Sequence, residues 1–196
     1  MGANILRGNK LSTQGLLNIT NAMESHPDNL APAFLGGLTA SMVDGGLPIS
    51  VSFPLHPDWK FLALVPDFNL STTLARSVLP EQVNRGDAIY NISHGALVLK
   101  ALELGDEKLL RTALQDRLHQ KYRKHLIADY DKIAALARTK GVAFCLSGAG
   151  PTLLFITRNR DVENMLREKI PTITEKNWEV LPLHVEFEGA HVISTE

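Results

Sequence analysis

One cysteine is all that this chain of 196 residues contains. A single thiol, Cys145, excludes an internal disulfide and any zinc site built from several thiolates. It lies in an apolar run just before Ser147. A buried core thiol is expected there, because a nucleophilic cysteine needs accessible, electropositive surroundings. Charge of one sign is missing too. The 20 Lys and Arg against 21 Asp and Glu leave a formal net charge of -1, no electrostatic basis for binding nucleic acid or an anionic membrane. Two short basic clusters, Lys121 to Lys124 and Arg158 to Arg160, have acidic residues nearby and read as solvated faces. No apolar stretch reaches bilayer-spanning length and no signal-peptide pattern opens the chain, so a cytoplasmic protein is expected. Repeats and low-complexity segments are absent. The histidines are scattered: His94, His119 and His125 sit near Asp or Arg by chance proximity, and nothing supports a histidine–carboxylate metal cluster or a Ser-His-Asp arrangement.

What is present describes an ordinary globular chain, with 44% hydrophobic and 21% charged residues, long enough for one sizeable core or for one domain and part of another. Ala3 to Glu24 is helical in character, with Ser12 or Thr13 as a cap. Pro27 is expected to end that helix. Asn29 is expected to cap a second one through Leu35, stopped by Gly36-Gly37. Strand-like runs follow at Leu38 to Val43, Ile49 to Pro54 and Phe61 to Val65, the first two joined by a Gly45-Gly46 hairpin turn. Helices are expected over Ser71 to Val78, Glu81 to Leu104, Asp106 to Leu114, Tyr130 to Lys140 and Asp161 to Ile170. Strands are expected at Val142 to Leu146, Leu153 to Ile156, Trp178 to Phe187 and His191 to Ser194. From Trp59 onward the order is a split βαββαβ arrangement with extra helices in its first crossover. The helices and hairpin before it cannot complete a core unaided. They read as the trailing part of a first domain.

Three constellations carry chemistry. Small residues in Leu146-Ser147-Gly148-Ala149-Gly150-Pro151-Thr152 let the backbone turn sharply between two strands, and successive N–H groups in such a turn can cradle an anion. A plain tight turn is the other reading. His26, Asp28 and Asn29 place an imidazole, a carboxylate and an amide at a Pro-containing turn, either as helix capping beside a surface histidine or as a polar recognition cluster. Thr72 and Arg76 are four apart on one helix face, an ordinary exposed pair or a hydroxyl and a planar donor fork for a carboxylate or phosphate. Arg123 lies in the charged stretch Arg117 to His125, which composition reads as mostly solvent-facing.

His-Pro-Asp-Asn-Leu-Ala-Pro-Ala-Phe-Leu-Gly-Gly, from His26 to Gly37, is similar to a signature segment of bacterial homoserine kinases. Phe68 to Pro80, with Thr72, Ala75, Arg76, Leu79 and Pro80, looks like their next characteristic block. Leu146 to Thr152 resembles the C-terminal glycine motif of the wider superfamily of galactokinase, homoserine kinase, mevalonate kinase and phosphomevalonate kinase (GHMP). The blocks stand in order over nearly the whole chain. The resemblance implies an α+β fold: residues 1–57 as the end of a ribosomal S5 domain 2-like domain, and residues 58–196 as a ferredoxin-like C-terminal domain. It implies a phosphotransferase that moves the γ-phosphoryl of ATP, with Mg²⁺, to the side-chain hydroxyl of L-homoserine in threonine biosynthesis. His26, Asp28, Asn29, Thr72, Arg76, Arg123 and Gly148 would bind the amino acid, and Ser147, Gly148, Ala149 and Gly150 would close the site. No residue stands out as a catalytic base, and positioning and charge stabilisation can suffice for phosphoryl transfer.

The family's main nucleotide loop, Gly-Leu-Gly-Ser-Ser-Ala-Ala in type, would precede the first helix and is not in this sequence. The chain is therefore expected to be the C-terminal two-thirds of such an enzyme, with its own activity and its Mg²⁺ ligand undetermined. Exposed apolar surface and self-association are expected with it, and a homodimer is compatible. Ser25 stands where the family often has glycine, which bears on local backbone angle. The rival readings are another kinase of the superfamily and a non-catalytic small-molecule-binding or interaction module of ferredoxin-like fold.

Overall fold

A computed structural model describes residues 1–24 and 26–192; Ser25 and part of the strand expected at His191 to Ser194 lie outside them. The chain divides into two units, Met1–Leu55 with Val185–Glu196, and His56–His184.

In the first unit the expected helical segment is two helices, α1 (Gly2–Leu6) and α2 (Thr13–Glu24). Between them Gly8 and Asn9 adopt positive φ, and the Asn4 amide brackets Leu11, donating to its carbonyl and accepting its N–H, both at 3.0 Å. These local bonds outcompete continued helix. Ser12 caps α2 by accepting the Gly15 N–H at 3.2 Å. Helix α3 (Pro27–Leu35) begins earlier than expected. Pro27 opens it rather than closing α2, with His26 in extended conformation at the N-cap and Asn29 inside the first turn. A proline at the first helical position loses no bond there and has its φ preset. Gly36 ends α3 at φ 72°, where a Cβ would come within 2.5 Å of the Phe187 backbone. The hairpin of β1 (Leu38–Asp44) and β2 (Leu47–Phe53) turns at Gly45-Gly46, both with positive φ, as its tight two-residue loop requires.

The second unit is a four-stranded antiparallel sheet. Strand β3 (Lys60–Pro66) is followed by α4 (Thr72–Ser77), α5 (Arg85–Leu104), α6 (Glu107–Ala113), α7 (Gln120–Arg123) with a 3₁₀ turn at Lys124–Leu126, and α8 (Tyr130–Lys140). Then come β4 (Ala143–Leu146), β5 (Leu153–Thr157), α9 (Val162–Ile173) and β6 (Trp178–Leu183). The spatial order β4-β5-β3-β6 is the ferredoxin-like order, with the unit's first strand in sequence lying between its third and fourth. Side-chain oxygens of Ser71, Asn84 and Asp106 cap α4, α5 and α6, and Gly105 and Gly141 end α5 and α8 in left-handed conformation, where glycine carries no steric penalty. Leu62, Leu64, Leu153 and Phe155 from the central strands meet Ile133 and Ala137 of α8 and Val162, Leu166 and Ile170 of α9 in one core.

Four details depart from the sequence reading. Helix α5 starts at Arg85, where Asn84 supplies the cap, rather than at Glu81. Asp161 makes no side-chain cap, and α9 continues through Pro171 to Ile173. Strand β6 stops at Leu183, and His191 and Val192 are not in a strand. Arg158 is a staple rather than a solvated face: its guanidinium donates to the Gly105 carbonyl at 3.0 Å and pairs with Asp58 at 2.9 Å, and its N–H donates to Glu107.

Candidate functional site

The charged stretch after α6 folds around Asp116. Its Oδ1 accepts the backbone N–H groups of His119 and Gln120, both at 2.7 Å, and its Oδ2 accepts from the Asn91 amide at 2.6 Å. Burial is the largest influence on this carboxyl and acts upward. The three donors outweigh it and hold the group below its ordinary 3.8, so it stays ionised and fixes the start of α7.

Arg123 ends α7 and is half-buried. Its Nε donates to the Ala75 carbonyl at 2.9 Å, and its Nη1 donates to the Gly148 carbonyl at 3.2 Å. The Ala75 oxygen lies in the last turn of α4, where helix carbonyls lack an intrahelical partner. One guanidinium therefore ties together α4 and the glycine turn. Its Nη1 also lies 3.2 Å from His119 Nδ1. Arginine only donates, so Nδ1 accepts and the ring proton sits on Nε2. Burial lowers the His119 pKa, Arg123 adds to that, and Asp116 opposes it, leaving a neutral imidazole at pH 7. Among the described residues Nη2 of Arg123 has no partner and remains available to an anion.

Thr72 and Arg76 stand on α4, both exposed, either side of the fully buried Ala75 whose carbonyl Arg123 holds. In the glycine turn the Ser147 N–H donates to the Thr152 carbonyl and the Gly150 N–H to the Ser147 carbonyl, both at 3.0 Å. Gly150 has φ 84°, and a Cβ there would sit 2.9 Å from the Leu146 side chain. Gly148 has φ 57° and faces open space. Ser147 is exposed and Ala149 half-buried. The Gly148 and Ala149 N–H groups have no acceptor among the described residues, so two backbone donors and Nη2 of Arg123 are unspent near one turn. Such a set holds an oxyanion.

His26, Asp28 and Asn29 belong to the first unit. All three are exposed at the first turn of α3, where Asp28 suits the positive end of the helix dipole. Burial pushes the Cys145 thiol up to about 12, a core thiol rather than a nucleophile. Among the described residues no three His, Cys, Asp or Glu side chains converge on a point.

Asp116, His119 and Gln120 were not singled out in the sequence as site-forming. The available signal was an Asp three and four residues before amides it can accept, the pattern of a capped turn. His119 in particular, placed near charged groups by chance in the linear reading, is Arg123's direct neighbour.

The family described as GHMP kinases C terminal matches residues 98–172. The chain is 45% identical over 193 residues to a homoserine kinase of Nostoc punctiforme, covering 97% of this chain and 64% of that protein. It is 38% identical over 200 residues to a homoserine kinase of Clostridium botulinum (strain Eklund 17B / Type B), covering 98% and 65%. The fold is similar to the crystal structure of homoserine kinase from Cytophaga hutchinsonii ATCC 33406, with TM-score 0.84 at 23% identity over 95% of this chain and 62% of that one. The chain thus spans slightly less than two-thirds of the length of these relatives.

Proposed function

Starting from a chain that belongs to the GHMP kinase superfamily and is homologous to homoserine kinases over nearly its whole length, we propose that it carries the amino-acid-holding part of a homoserine kinase. The reaction is transfer of the γ-phosphoryl of ATP to the side-chain hydroxyl of L-homoserine. The new O–P bond forms as the bond to ADP breaks, and the hydroxyl proton is released.

One observation supports this reading above the others: the guanidinium of Arg123 spans the carbonyls of Ala75 and Gly148. Two blocks that resemble homoserine kinases, far apart in the sequence, are thereby held by a third residue of the same resemblance. In this reading Arg76 and the free Nη2 of Arg123 take the substrate carboxylate, and Thr72 adds a hydroxyl beside them. The Gly148 and Ala149 N–H groups meet developing negative charge. Such groups act by position and charge, and none has to remove a proton. MgATP is the phosphoryl donor in this proposal.

Homoserine-dependent ADP release from MgATP is the test, run on the chain alone and on the chain joined to the N-terminal third of the Nostoc relative. Release that requires homoserine in either form, and falls by at least about tenfold in Arg76→Ala, supports the proposal. Absence of homoserine-dependent release in both forms overturns it, as does an unchanged rate in the variant.

A further inference from the structure

On the side of α7 away from its use in the glycine-turn clamp lies an open cavity of about 300 Å³, lined by residues of α6, α7, α8 and β4 within the second unit. This volume is at the small end of ligand pockets. Phe144, Val142 and Ala137 give it an apolar floor, and Arg111, Lys121, Lys124 and Arg138 give it cationic walls against the two carboxylates Asp116 and Asp131. The carboxylates are already engaged. Asp116 accepts three N–H groups, and Asp131 pairs with Lys124 at 3.1 Å. Lys121 is taken by Asp87 at 3.0 Å.

The two arginines are left with capacity. Arg111 uses one N–H on the Gly141 carbonyl at 2.7 Å, and Arg138 has no hydrogen bond or ion pair among the described residues. Tyr130 also lines this cavity, and its hydroxyl has no protein partner among the described residues. It is a donor at neutral pH, since burial raises it to about 12. Arginine nitrogens only donate, and beside an apolar floor the unspent ones match a small molecule rich in acceptor oxygens.

We propose that this cavity is a second ligand site, taking a small anion with a phosphate group or paired carboxylates, and that its occupant controls Arg123 through α7. The wall residue Gln120 makes the connection. Its Oε1 accepts the Leu146 N–H at 2.8 Å, one residue before the glycine turn, and its own N–H is held by Asp116. Arg123 lies on the same single turn of helix. An anion held by Arg111 and Arg138 beside Gln120 acts on the first residue of the four-residue helix that Arg123 ends. The inference rests on the kinase reading only for what Arg123 does; the cavity and the Gln120 link use none of the proposed substrate residues.

The experiment is an amide NMR titration of the chain with inorganic phosphate and, separately, with glutarate. Saturable shifts at Gln115, Gln120, Tyr130 and Phe144, carried on to Gly148, are expected with at least one probe. Arg138→Gln should weaken that binding by about tenfold. Ala134→Phe, which fills the cavity, should abolish it. Saturation by phosphate alone assigns a phosphorylated ligand, and by glutarate alone a dicarboxylate. Linear shifts spread over exposed Lys and Arg residues overturn the proposal, as does saturable binding unchanged in Arg138→Gln. Arg138 is exposed, so its variant keeps the test valid even where Ala134→Phe perturbs folding.

Discussion

The two units use similar apolar content in opposite ways. In the second unit, sheet and helices enclose one core that includes Phe155, Leu166 and Ile170 with no exposed surface. In the first, Leu17 and Ala31 are the buried hydrophobics, whereas Met42, Val43, Leu47, Ile49 and Val51 on the hairpin are all exposed. The first unit also buries Asn21, whose Oδ1 has no partner among the described residues. The Trp178 indole N–H of the second unit is likewise unpartnered, but there it sits at the edge of a full core. A β-ribbon with one apolar face is marginal alone in water. The contrast teaches that stability and site geometry in this chain reside in the second unit, and that the first presents surface suited to association.

The comparison can be broken most sharply by emptying the core. Both tryptophans, Trp59 and Trp178, are in the second unit, so tryptophan fluorescence during urea unfolding reports that unit. Leu166→Ala should destabilise it by about 2–5 kcal/mol. A shift below about 1 kcal/mol would mean the core is less tightly packed than Leu166's complete burial implies.

Arg123→Ala is next. It leaves two carbonyls without a charged donor, and should cost about 1.5–3 kcal/mol in the same measurement. Arg123→Lys should recover little of it, because one ammonium cannot reproduce the fork that reaches both Ala75 and Gly148. Full recovery by lysine would show that charge rather than geometry holds the clamp.

A smaller effect belongs to Asp116. Its folded pKa lies below its ordinary 3.8, so its contribution is fully present above that value and is lost as pH falls through the folded pKa. Asp116→Asn should therefore flatten the acid limb of the stability profile below about pH 4 and leave its shape near neutrality unaltered. A steep acid limb that survives the substitution would assign acid sensitivity to other carboxylates, Asp129 among them.

The smallest stability effect should come from the first unit. Val51→Ser, on the exposed hairpin face, should move the fluorescence transition by less than about 0.5 kcal/mol. The same substitution should reduce self-association of the chain in light scattering over a wide concentration range. A strictly monomeric parent chain would remove the inference of a sticky first unit.

Much of this molecule was legible in its residues. The helix from Tyr130 to Lys140 follows from its apolar spacing and from Gly141, and the hairpin follows from Gly45-Gly46. The split βαββαβ order was readable because strand and helix periods alternate. Boundaries set by competing local bonds were less so. Asn4 turning back on Leu11 and Pro27 opening a helix both depend on which of several equal options the chain takes. Of the candidate residues, Thr72, Arg76, Arg123 and the glycine turn were visible as residue types, while Asp116, His119 and Gln120 were lost in a stretch that composition marks as solvated.

By itself the sequence determined the succession of strands and helices along the second unit and the places where glycine turns the chain, because these depend on neighbours within a few positions. Only the tertiary structure decided that Arg123 clamps Ala75 to Gly148, 48 residues before it and 25 after it. It also decided that Asp116 and Gln120 support that clamp and that a cationic cavity lies behind it. Those contacts join segments that no local pattern relates. They arise because packing the α7 turn against the open edge of β4 brings unspent donors and carbonyls within hydrogen-bond reach.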